Sequence, residues 1–278
     1  MKLSVSSYSF GKYRRATGCS YLDLCDKAKE MGFEGIEFID LEADDLLKTA
    51  REIRAHCETI GLPVIAYTVG ADFLAADIET EIARVCGCVD VCEALGAPLM
   101  RHDVCGKLPD TPLYSWEDAV AQMVPHIRRV NDYAAAKGIR TCTENHGYIF
   151  QYPERVEALI RAVGRESYGW LCDIGNFLCV DADPQHAVSV AARYAFHVHA
   201  KDFLRKCDAE CPDGFVPTAG RNWLRGTILG HGAVPVAQCL RILKDNGYDG
   251  WVTLEFEGEE ECLPALETGL RMLKKYTA

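Results

Sequence analysis

Short apolar runs alternate along the chain with longer segments in which apolar residues recur at helical spacing. The short runs predict strands over residues 3–10, 35–39, 63–69, 98–102, 140–145, 168–173, 195–200 and 251–256. The longer segments predict helices over residues 21–31, 44–60, 78–95, 115–137, 153–163, 184–192, 235–246 and 261–276. Regular alternation of strands and helices is typical of an α/β fold with a parallel sheet.

Proline and glycine mark the ends of the predicted helices. Three prolines stand at helix starts, where a missing N–H leaves no hydrogen bond unmade: Pro153, Pro184 and Pro235. Four glycines follow helix ends, where a left-handed cap favours glycine: Gly32, Gly61, Gly138 and Gly247. A buried strand follows each of these glycines after a short loop, so the unit of helix, loop and strand repeats.

Eight strand–helix pairs can close into a barrel or form an open, doubly wound sheet. An open sheet that binds dinucleotides has a G-x-G-x-x-G turn after its first strand. Here the corresponding segment, residues 7–11, reads SYSFG and lacks that pattern. The sequence therefore favours a single (β/α)8 TIM barrel, formed as one domain by residues 1–278.

The chain of 278 residues has a net charge of −11, from 30 basic and 41 acidic residues. This excess of negative charge repels phosphate backbones, so nucleic acid is not an expected partner. No segment approaches the roughly 20 apolar residues of a membrane span, so no membrane association is expected. Residues 1–10 contain no continuous apolar run of the kind that a secretion signal has.

The 14 cysteines are even in number but do not predict a disulfide framework. Cys142, Cys172 and Cys239 lie in apolar segments, where a thiol acts as a small hydrophobic group. A chain of this length can bury enough core to fold without disulfides. We therefore expect free thiols and a cytoplasmic location.

Function in a (β/α)8 barrel resides where the strands end and the following loops begin. The predicted strand ends are rich in polar groups: Arg101, His102, Glu144, His146, Asp173, Asn176, His197, His199, Lys201, Glu255 and Glu257. Neighbouring strands lie about 4.8 Å apart, so groups from consecutive strands can converge on one point. Carboxylates with an imidazole form a ligand set that suits one Mn²⁺, Mg²⁺, Co²⁺ or Zn²⁺ ion, and of these we expect Mn²⁺.

Five motifs in order along the chain resemble the xylose-isomerase-like superfamily of sugar isomerases and epimerases: CTENHG, LCDIGNF, HVHAKDF, LGHGAVP and WVTLEFEG. The resemblance covers essentially the whole chain. It implies that one divalent metal ion is held by four residues, Glu144, Asp173, His199 and Glu255. Alignment with the family places the last ligand first in EFEG, although strand alternation puts Glu257 on the same face as Glu255.

The resemblance implies metal-dependent chemistry on a small carbohydrate, either a sugar or a sugar phosphate. In an isomerase or epimerase, the metal ion polarises a ketose carbonyl and stabilises an enediolate. Glu144 and Glu255 would approach opposite faces of the sugar and transfer the protons. In this first hypothesis, each glutamate is both a metal ligand and an acid or base.

A second hypothesis is that the protein is a lyase with His146 as the base. Some members of the superfamily eliminate the aglycone from 3-oxo-glycosides, cleaving a C- or O-glycosidic bond, and a dehydratase acting on a keto-polyol is a close variant. Imidazole titrates near neutrality and can remove the proton next to a carbonyl. The alternative role for His146 is to orient the Glu144 carboxylate, and the sequence leaves both roles open.

Further polar residues are candidates for substrate contacts: Arg101, His102, Asn176, His197, Lys201, Arg221 and Glu257. Arg221 lies in the long segment 204–230, which has no obvious element and is typical of a lid or binding loop. A homo-oligomer or a complex with a small partner subunit is compatible with the sequence.

Two rival classes share the superfamily's fold. A DNA-repair endonuclease needs a cluster of metal ions and more histidines, and Asn176 stands where a further histidine ligand would be expected. A non-enzymatic barrel would have lost the ligand set, which is intact here. The sequence therefore favours a metal-dependent enzyme that acts on a small carbohydrate.

Overall fold

Eight parallel strands close into a barrel in the computed structural model, which describes residues 1–207 and 209–278. The described residues form these strands in chain order: β1 (Lys2–Ser6), β2 (Gly35–Ile39), β3 (Val64–Val69), β4 (Leu99–His102), β5 (Arg140–Glu144), β6 (Tyr168–Asp173), β7 (Ala195–Ala200), β8 (Asp202–Lys206), β9 (Val216–Pro217), β10 (Trp223–Thr227) and β11 (Trp251–Leu254). Strands β8, β9 and β10 lie outside the barrel. The barrel order is β1-β11-β7-β6-β5-β4-β3-β2. The predicted (β/α)8 fold is confirmed.

Helices follow the barrel strands and pack outside them: α1 (Gly11–Thr17), α2 (Tyr21–Met31), α3 (Leu46–Ile60), α4 (Ile78–Leu95), α5 (Trp116–Ala136), α6 (Pro153–Val163), α7 (Pro184–Ala191), α8 (Val236–Asp245) and α9 (Cys262–Thr277). Pro153 and Pro184 occupy the first turns of α6 and α7. Gly32 ends α2 in the left-handed conformation, with φ of 88°, which a side chain would disfavour. Among the described residues, no helix is both long and apolar enough to cross a membrane.

The first strand ends earlier than the sequence predicts. Strand β1 stops at Ser6, and Ser7–Phe10 forms a 3₁₀ turn. Serine hydroxyls explain this difference, because they offer the backbone an alternative to the sheet. Ser7 Oγ accepts a hydrogen bond from the backbone N–H of Ile39 at 3.1 Å, and Ser9 Oγ accepts one from Phe256 at 2.9 Å. The first strand therefore turns outward at the barrel mouth.

The segment 204–230, predicted as a long loop, contains short strands among its described residues. Strands β8, β10 and β9 form a three-stranded antiparallel sheet at the mouth. The buried Asp202 carboxylate accepts backbone hydrogen bonds at 2.8–3.0 Å from Phe203, Gly230, Gly232 and Val234. These bonds fix the connection from β10 to α8, so a single carboxylate organises much of this excursion.

The barrel interior changes from apolar to polar toward the mouth. Leu99, Cys142 and Leu171 belong to a small apolar cluster, separate from the main core between strands and helices. Each lies two residues before a polar residue on its strand, so both face the same side. Leu171, for example, precedes Asp173. An apolar layer therefore supports the polar groups at the mouth.

The described cysteines are all free thiols.

Candidate metal centre

Four buried side chains meet at the mouth of the barrel. Glu144 ends β5, Asp173 ends β6, His199 lies on β7, and Glu255 directly follows β11. Each offers one ligand atom, and these four atoms all lie within 4.8 Å of one another. The Nδ1 atom of His199 is 3.9 Å from Glu144, 3.9 Å from Asp173 and 3.6 Å from Glu255. The structure brings together all four residues that the resemblance names as ligands.

Among the described residues, His199 Nδ1 is buried without a hydrogen-bond partner. Asp173 Oδ2 and Glu255 Oε2 are buried with the ammonium of Lys201 beside them, at 3.1 and 2.5 Å. A buried polar atom without a partner is costly, and an unpaired imidazole nitrogen that faces three buried carboxylates indicates a place where a cation can bind. Two carboxylate oxygens and an imidazole nitrogen are ligands that divalent first-row metals and Mg²⁺ accept. The residues present therefore fit a divalent cation.

Glu37 on β2 holds the histidine of the cluster in place. Both of its carboxylate oxygens lie 2.9 Å from Nε2 of His199, and Oε2 lies 2.9 Å from Nε2 of His197. Burial alone would raise the pKa of Glu37, but the two histidines lower it to about 2. With Nε2 engaged by Glu37, Nδ1 is the nitrogen of His199 that faces the cluster and can bind a metal ion. Burial would lower the pKa of His199, but the charges of Glu37 and Glu255 raise it, so a metal ion that binds Nδ1 releases a proton.

Sequence reasoning missed Glu37. The only signal was a lone carboxylate inside the buried run GIEFI, where four of the five residues are buried. The sequence does not show which strand faces Glu37 in the closed barrel. Hydrogen bonds continue from His197 to two further buried side chains. Its Nε2 lies 2.9 Å from Thr253 Oγ1, and Thr253 Oγ1 lies 2.6 Å from Ser4 Oγ.

Arg101 and Asn176 engage both oxygens of Glu144. The Nη2 atom of Arg101 lies 2.7 Å from Glu144 Oε2 and 2.7 Å from Asp103 Oδ1. Asn176 donates from Nδ2 to Glu144 Oε1 at 2.9 Å. Burial would lower the pKa of Arg101, but the carboxylates of Glu144 and Asp103 raise it, so the guanidinium stays charged. Glu144 is therefore held in one orientation.

The ammonium group of Lys201 lies beside the cluster, in addition to the guanidinium of Arg101. Its Nζ atom lies 2.5 Å from Glu255 Oε2, 3.1 Å from Asp173 Oδ2 and 3.8 Å from Glu257 Oε2. Burial raises the pKa of Asp173 to about 7, with Glu144 and Glu255 adding to the effect and Lys201 opposing it. In the metal-free protein, Lys201 thus offsets part of the negative charge of the cluster.

His146 lies in the loop after β5 and is paired with a carboxylate. Its Nδ1 atom is 3.0 Å from Asp103 Oδ1, and half of the side chain is exposed. Burial would lower the pKa of His146, but the hydrogen bond to Asp103 and the charge of Glu144 raise it. Because Asp103 engages Nδ1, Nε2 is the nitrogen that can take a proton. An imidazole with one nitrogen held by a carboxylate and the other accessible is chemically able to act as a general base.

Two predicted substrate contacts lie apart from the cluster. His102 is fully buried, its Nδ1 lies 2.8 Å from the backbone oxygen of Asp103, and its ring stacks on Tyr168. Arg221 is exposed in the connection from β9 to β10, with φ of 67°. Among the described residues, neither forms a hydrogen bond or ion pair with the four cluster residues.

A cavity of about 810 Å³ opens at the mouth beside the cluster. Its walls come from the segments that follow β1, β2 and β11, and they include Tyr8, Arg15, Asp40 and Glu257. Glu257 joins the cavity to the cluster, because it also faces Lys201. Burial, followed by the charges of Glu257 and Glu255, raises the pKa of Tyr8, whose phenol therefore stays protonated at neutral pH.

Comparisons with known proteins agree with the fold. A family model described as xylose isomerase-like TIM barrel matches residues 25–276. An inosose dehydratase of Lacticaseibacillus casei is 25% identical over 202 residues, which are 67% of this chain and 66% of that protein. An inosose isomerase of Halalkalibacterium halodurans is 28% identical over 119 residues, which are 43% of this chain and 39% of that protein.

The match to the first of these relatives spans just under two thirds of its length, at 66%. Among solved structures, a crystal structure of the IOLI protein with a bound zinc atom superposes with a TM-score of 0.77. It is 18% identical, and the superposition covers 100% of this chain and 98% of that one. At this identity, the likeness shows the shared barrel fold.

Proposed function

Because the chain belongs to the xylose isomerase-like TIM barrel family, we propose that it is a divalent-metal-dependent lyase acting on a cyclic polyol ketone or a 3-oxo sugar. The reaction is a β-elimination, in which a proton leaves the carbon beside the carbonyl and a substituent leaves the next carbon. The pair of His146 and Asp103, 3.0 Å apart at the mouth, is the observation that carries this proposal. The similarity to a protein named inosose dehydratase supports the same reaction class.

His146 is better placed as the base than either glutamate. Arg101 and Asn176 already occupy both oxygens of Glu144, and Lys201 lies 2.5 Å from Glu255. A substrate proton therefore has to compete with Arg101 and Asn176 for the oxygens of Glu144, and with Lys201 at Glu255. His146 is half exposed and has one nitrogen oriented by Asp103, which leaves the other for the substrate.

The other residues of the centre have roles that follow from their positions. A divalent ion held by the four cluster residues would supply a Lewis acid for the carbonyl oxygen, and we propose Mn²⁺ for this largely carboxylate ligand set. Glu37 keeps His199 oriented, and Arg101 keeps Glu144 oriented. Lys201 can donate to the oxyanion that forms when the proton is removed.

An isomerase or epimerase is the second candidate. Glu144 and Glu255 both offer oxygens to the same cluster, so both would lie near a substrate carbonyl bound to the metal ion. The similarity to a protein named inosose isomerase supports this reaction class. In such a reaction, solvent deuterium would enter the recovered ketose without loss of any substituent. That result with no elimination product would favour the second candidate over the first.

A single substitution tests the lyase. We expect His146→Asn to lower the rate of elimination from an inosose or a 3-oxo-glucoside by about 10²–10⁴-fold, the usual contribution of a general base. The absorbance of the enone product reports the rate, and elemental analysis reports the bound metal. Metal content should stay at the wild-type level, since His146 is not in the cluster.

His56→Asn is the matched control, because His56 forms a similar pair with Asp26 at 2.7 Å on the helical surface. It should leave the rate unchanged. Glu144→Gln should lose both metal and activity, because it removes a charged ligand. Full turnover by His146→Asn would eliminate the histidine as the base.

A further inference from the structure

Two cysteines face each other between the neighbouring helices α2 and α3. Cys25 lies on α2 and Cys57 lies near the end of α3, and both side chains are buried. Their Sγ atoms are 3.5 Å apart, in hydrogen-bond contact. The pair belongs neither to the metal centre nor to the proposed lyase reaction.

A second pair, one position along each helix, holds the two thiols in register. Asp26 follows Cys25, and His56 precedes Cys57. Nε2 of His56 lies 2.7 Å from Oδ1 of Asp26 at the surface, so the two helices are tied together at this level. A disulfide has an S–S length of about 2.0 Å, so bond formation requires the two sulfurs to approach by about 1.5 Å.

A cavity at the face of the barrel opposite the mouth reaches Cys57. Its volume is about 350 Å³, and its walls come from the end of α3, the start of β3 and the end of α4. Cys57 and Arg54 both belong to the wall. One water molecule takes up about 30 Å³ in the liquid, so the cavity has room for an oxidant as small as hydrogen peroxide.

The two thiols differ in acidity. A hydrogen bond from Cys25 lowers the pKa of Cys57, against the opposing effects of burial and of the charges of Asp26 and Glu58. The same hydrogen bond, together with burial, raises the pKa of Cys25. Cys57 therefore ionises first, and the thiolate is the form of cysteine that attacks an oxidant.

We propose that Cys25 and Cys57 are a modification site, at which a peroxide converts the dithiol into a disulfide that joins α2 to α3. Cys57, at the cavity wall, is the attacking thiol, and Cys25 is the resolving thiol. The bond encloses β2, which carries Glu37, the residue that orients His199. A cross-link restricts the unfolded chain, so the oxidised protein is more stable than the reduced one.

The bond changes balance with hydrogen peroxide as the co-reactant. The thiolate of Cys57 attacks one peroxide oxygen, the O–O bond breaks, and hydroxide leaves with the electron pair and takes up the proton that Cys57 had lost. The sulfur of Cys25 then attacks the sulfenic acid on Cys57. The S–O bond breaks, and a second hydroxide leaves and takes up the proton of Cys25. Two thiols and one peroxide give one disulfide and two water molecules.

Stoichiometric hydrogen peroxide tests the proposal on the full chain with Cys207→Ser and Cys211→Ser, which remove two exposed thiols that would compete for the oxidant. We expect this parent protein to lose two free thiols and to yield a linked pair of peptides, one with Cys25 and the other with Cys57. The midpoint of urea unfolding should rise on oxidation. Dithiothreitol should restore both thiols and the original midpoint.

Single changes in the parent separate the two roles. In Cys25→Ala, oxidation should stop at the sulfenic acid of Cys57, which dimedone labels, and in Cys57→Ala neither the label nor the link should form. Cys239→Ala is the matched control, because Cys239 is also buried but lies on α8, and it should form the link as the parent does.

Two results would overturn the proposal. One is a parent protein without the linked peptides after peroxide treatment, which needs no variant to fold. The other is a link that persists in Cys25→Ala, since Cys57 would then pair with another cysteine. An unfolding midpoint that stays the same in the linked protein would refute the stabilising effect of the bond.

Discussion

The Nζ atom of Lys201 lies 2.5 Å from Oε2 of Glu255, one of the oxygens that the cluster offers to a metal ion. The same ammonium is 3.1 Å from Asp173. Lysine and metal ion therefore compete for the same acceptors. Glu257, at 3.8 Å, is a second partner to which the lysine can turn when a metal ion binds.

Replacement of Lys201 should strengthen metal binding. In Lys201→Met, the competing charge is removed while the length of the side chain is nearly kept, and we expect the dissociation constant for Mn²⁺ to fall by about tenfold. Turnover should fall at the same time, because the donor to the oxyanion is lost. Isothermal titration of the metal-free protein measures the first effect. Lys206→Met, on the exposed end of β8, is the control, and weaker metal binding by Lys201→Met would contradict competition.

Glu37 should matter for metal affinity although it is not a ligand. In Glu37→Gln, an amide replaces the carboxylate that accepts from Nε2 of His199, and the tautomer that exposes Nδ1 is no longer enforced. We expect the affinity for the metal to fall by about 10–100-fold, the range measured for such partners. Glu30→Gln, an exposed change on α2, should leave the affinity unchanged. An unaltered titration curve for Glu37→Gln would show that the histidine is held by other contacts.

Asp103 should set the pH at which His146 works. The hydrogen bond and charge of Asp103 raise the pKa of His146 against the opposing effect of burial. A base must be unprotonated, so activity falls as the pH drops below this pKa. In Asp103→Asn, the pKa should be lower, and the acid limb of the profile of kcat against pH should move to lower pH. The maximum rate should also fall, by less than the about 10²–10⁴-fold that loss of the base itself causes. An acid limb that stays in place would mean that another group titrates.

His102 should make stability depend on pH. Burial lowers the pKa of His102 to about 4, from 6.5 in an unfolded chain. Between these values the unfolded chain binds the proton and the folded protein does not, so the contribution is present above pH 6.5 and is lost as the pH falls toward 4. The total effect is about 3 kcal/mol, at 1.36 kcal/mol per pKa unit.

Urea denaturation at several pH values measures this effect. The free energy of unfolding of His102→Gln should fall less steeply from pH 6.5 to pH 4 than that of the wild-type protein. Its value at neutral pH will be lower, since the ring contact with Tyr168 is lost. His56→Gln, at the helical surface, serves as the control. Parallel curves for His102→Gln and wild type would refute the assignment.

The elements that the sequence predicts best are those fixed by local patterns. Strand Gly35–Ile39 and helix Tyr21–Met31 were predicted with their observed bounds, because apolar periodicity and a glycine cap act within a few residues. The excursion after β7 was predicted as a loop. Its connection to α8 is held by Asp202, which accepts hydrogen bonds from residues about 30 positions away.

The sequence by itself determined that strands and helices alternate and that carboxylates and a histidine stand at consecutive strand ends. Tertiary structure alone decided that Glu37, 162 positions from His199, orients that histidine, and that Lys201 occupies acceptors of the cluster. The physical reason is barrel closure, which brings side chains from distant strands to one axis. Contacts across that axis depend on strand register and side-chain orientation, and neither is encoded in any local pattern.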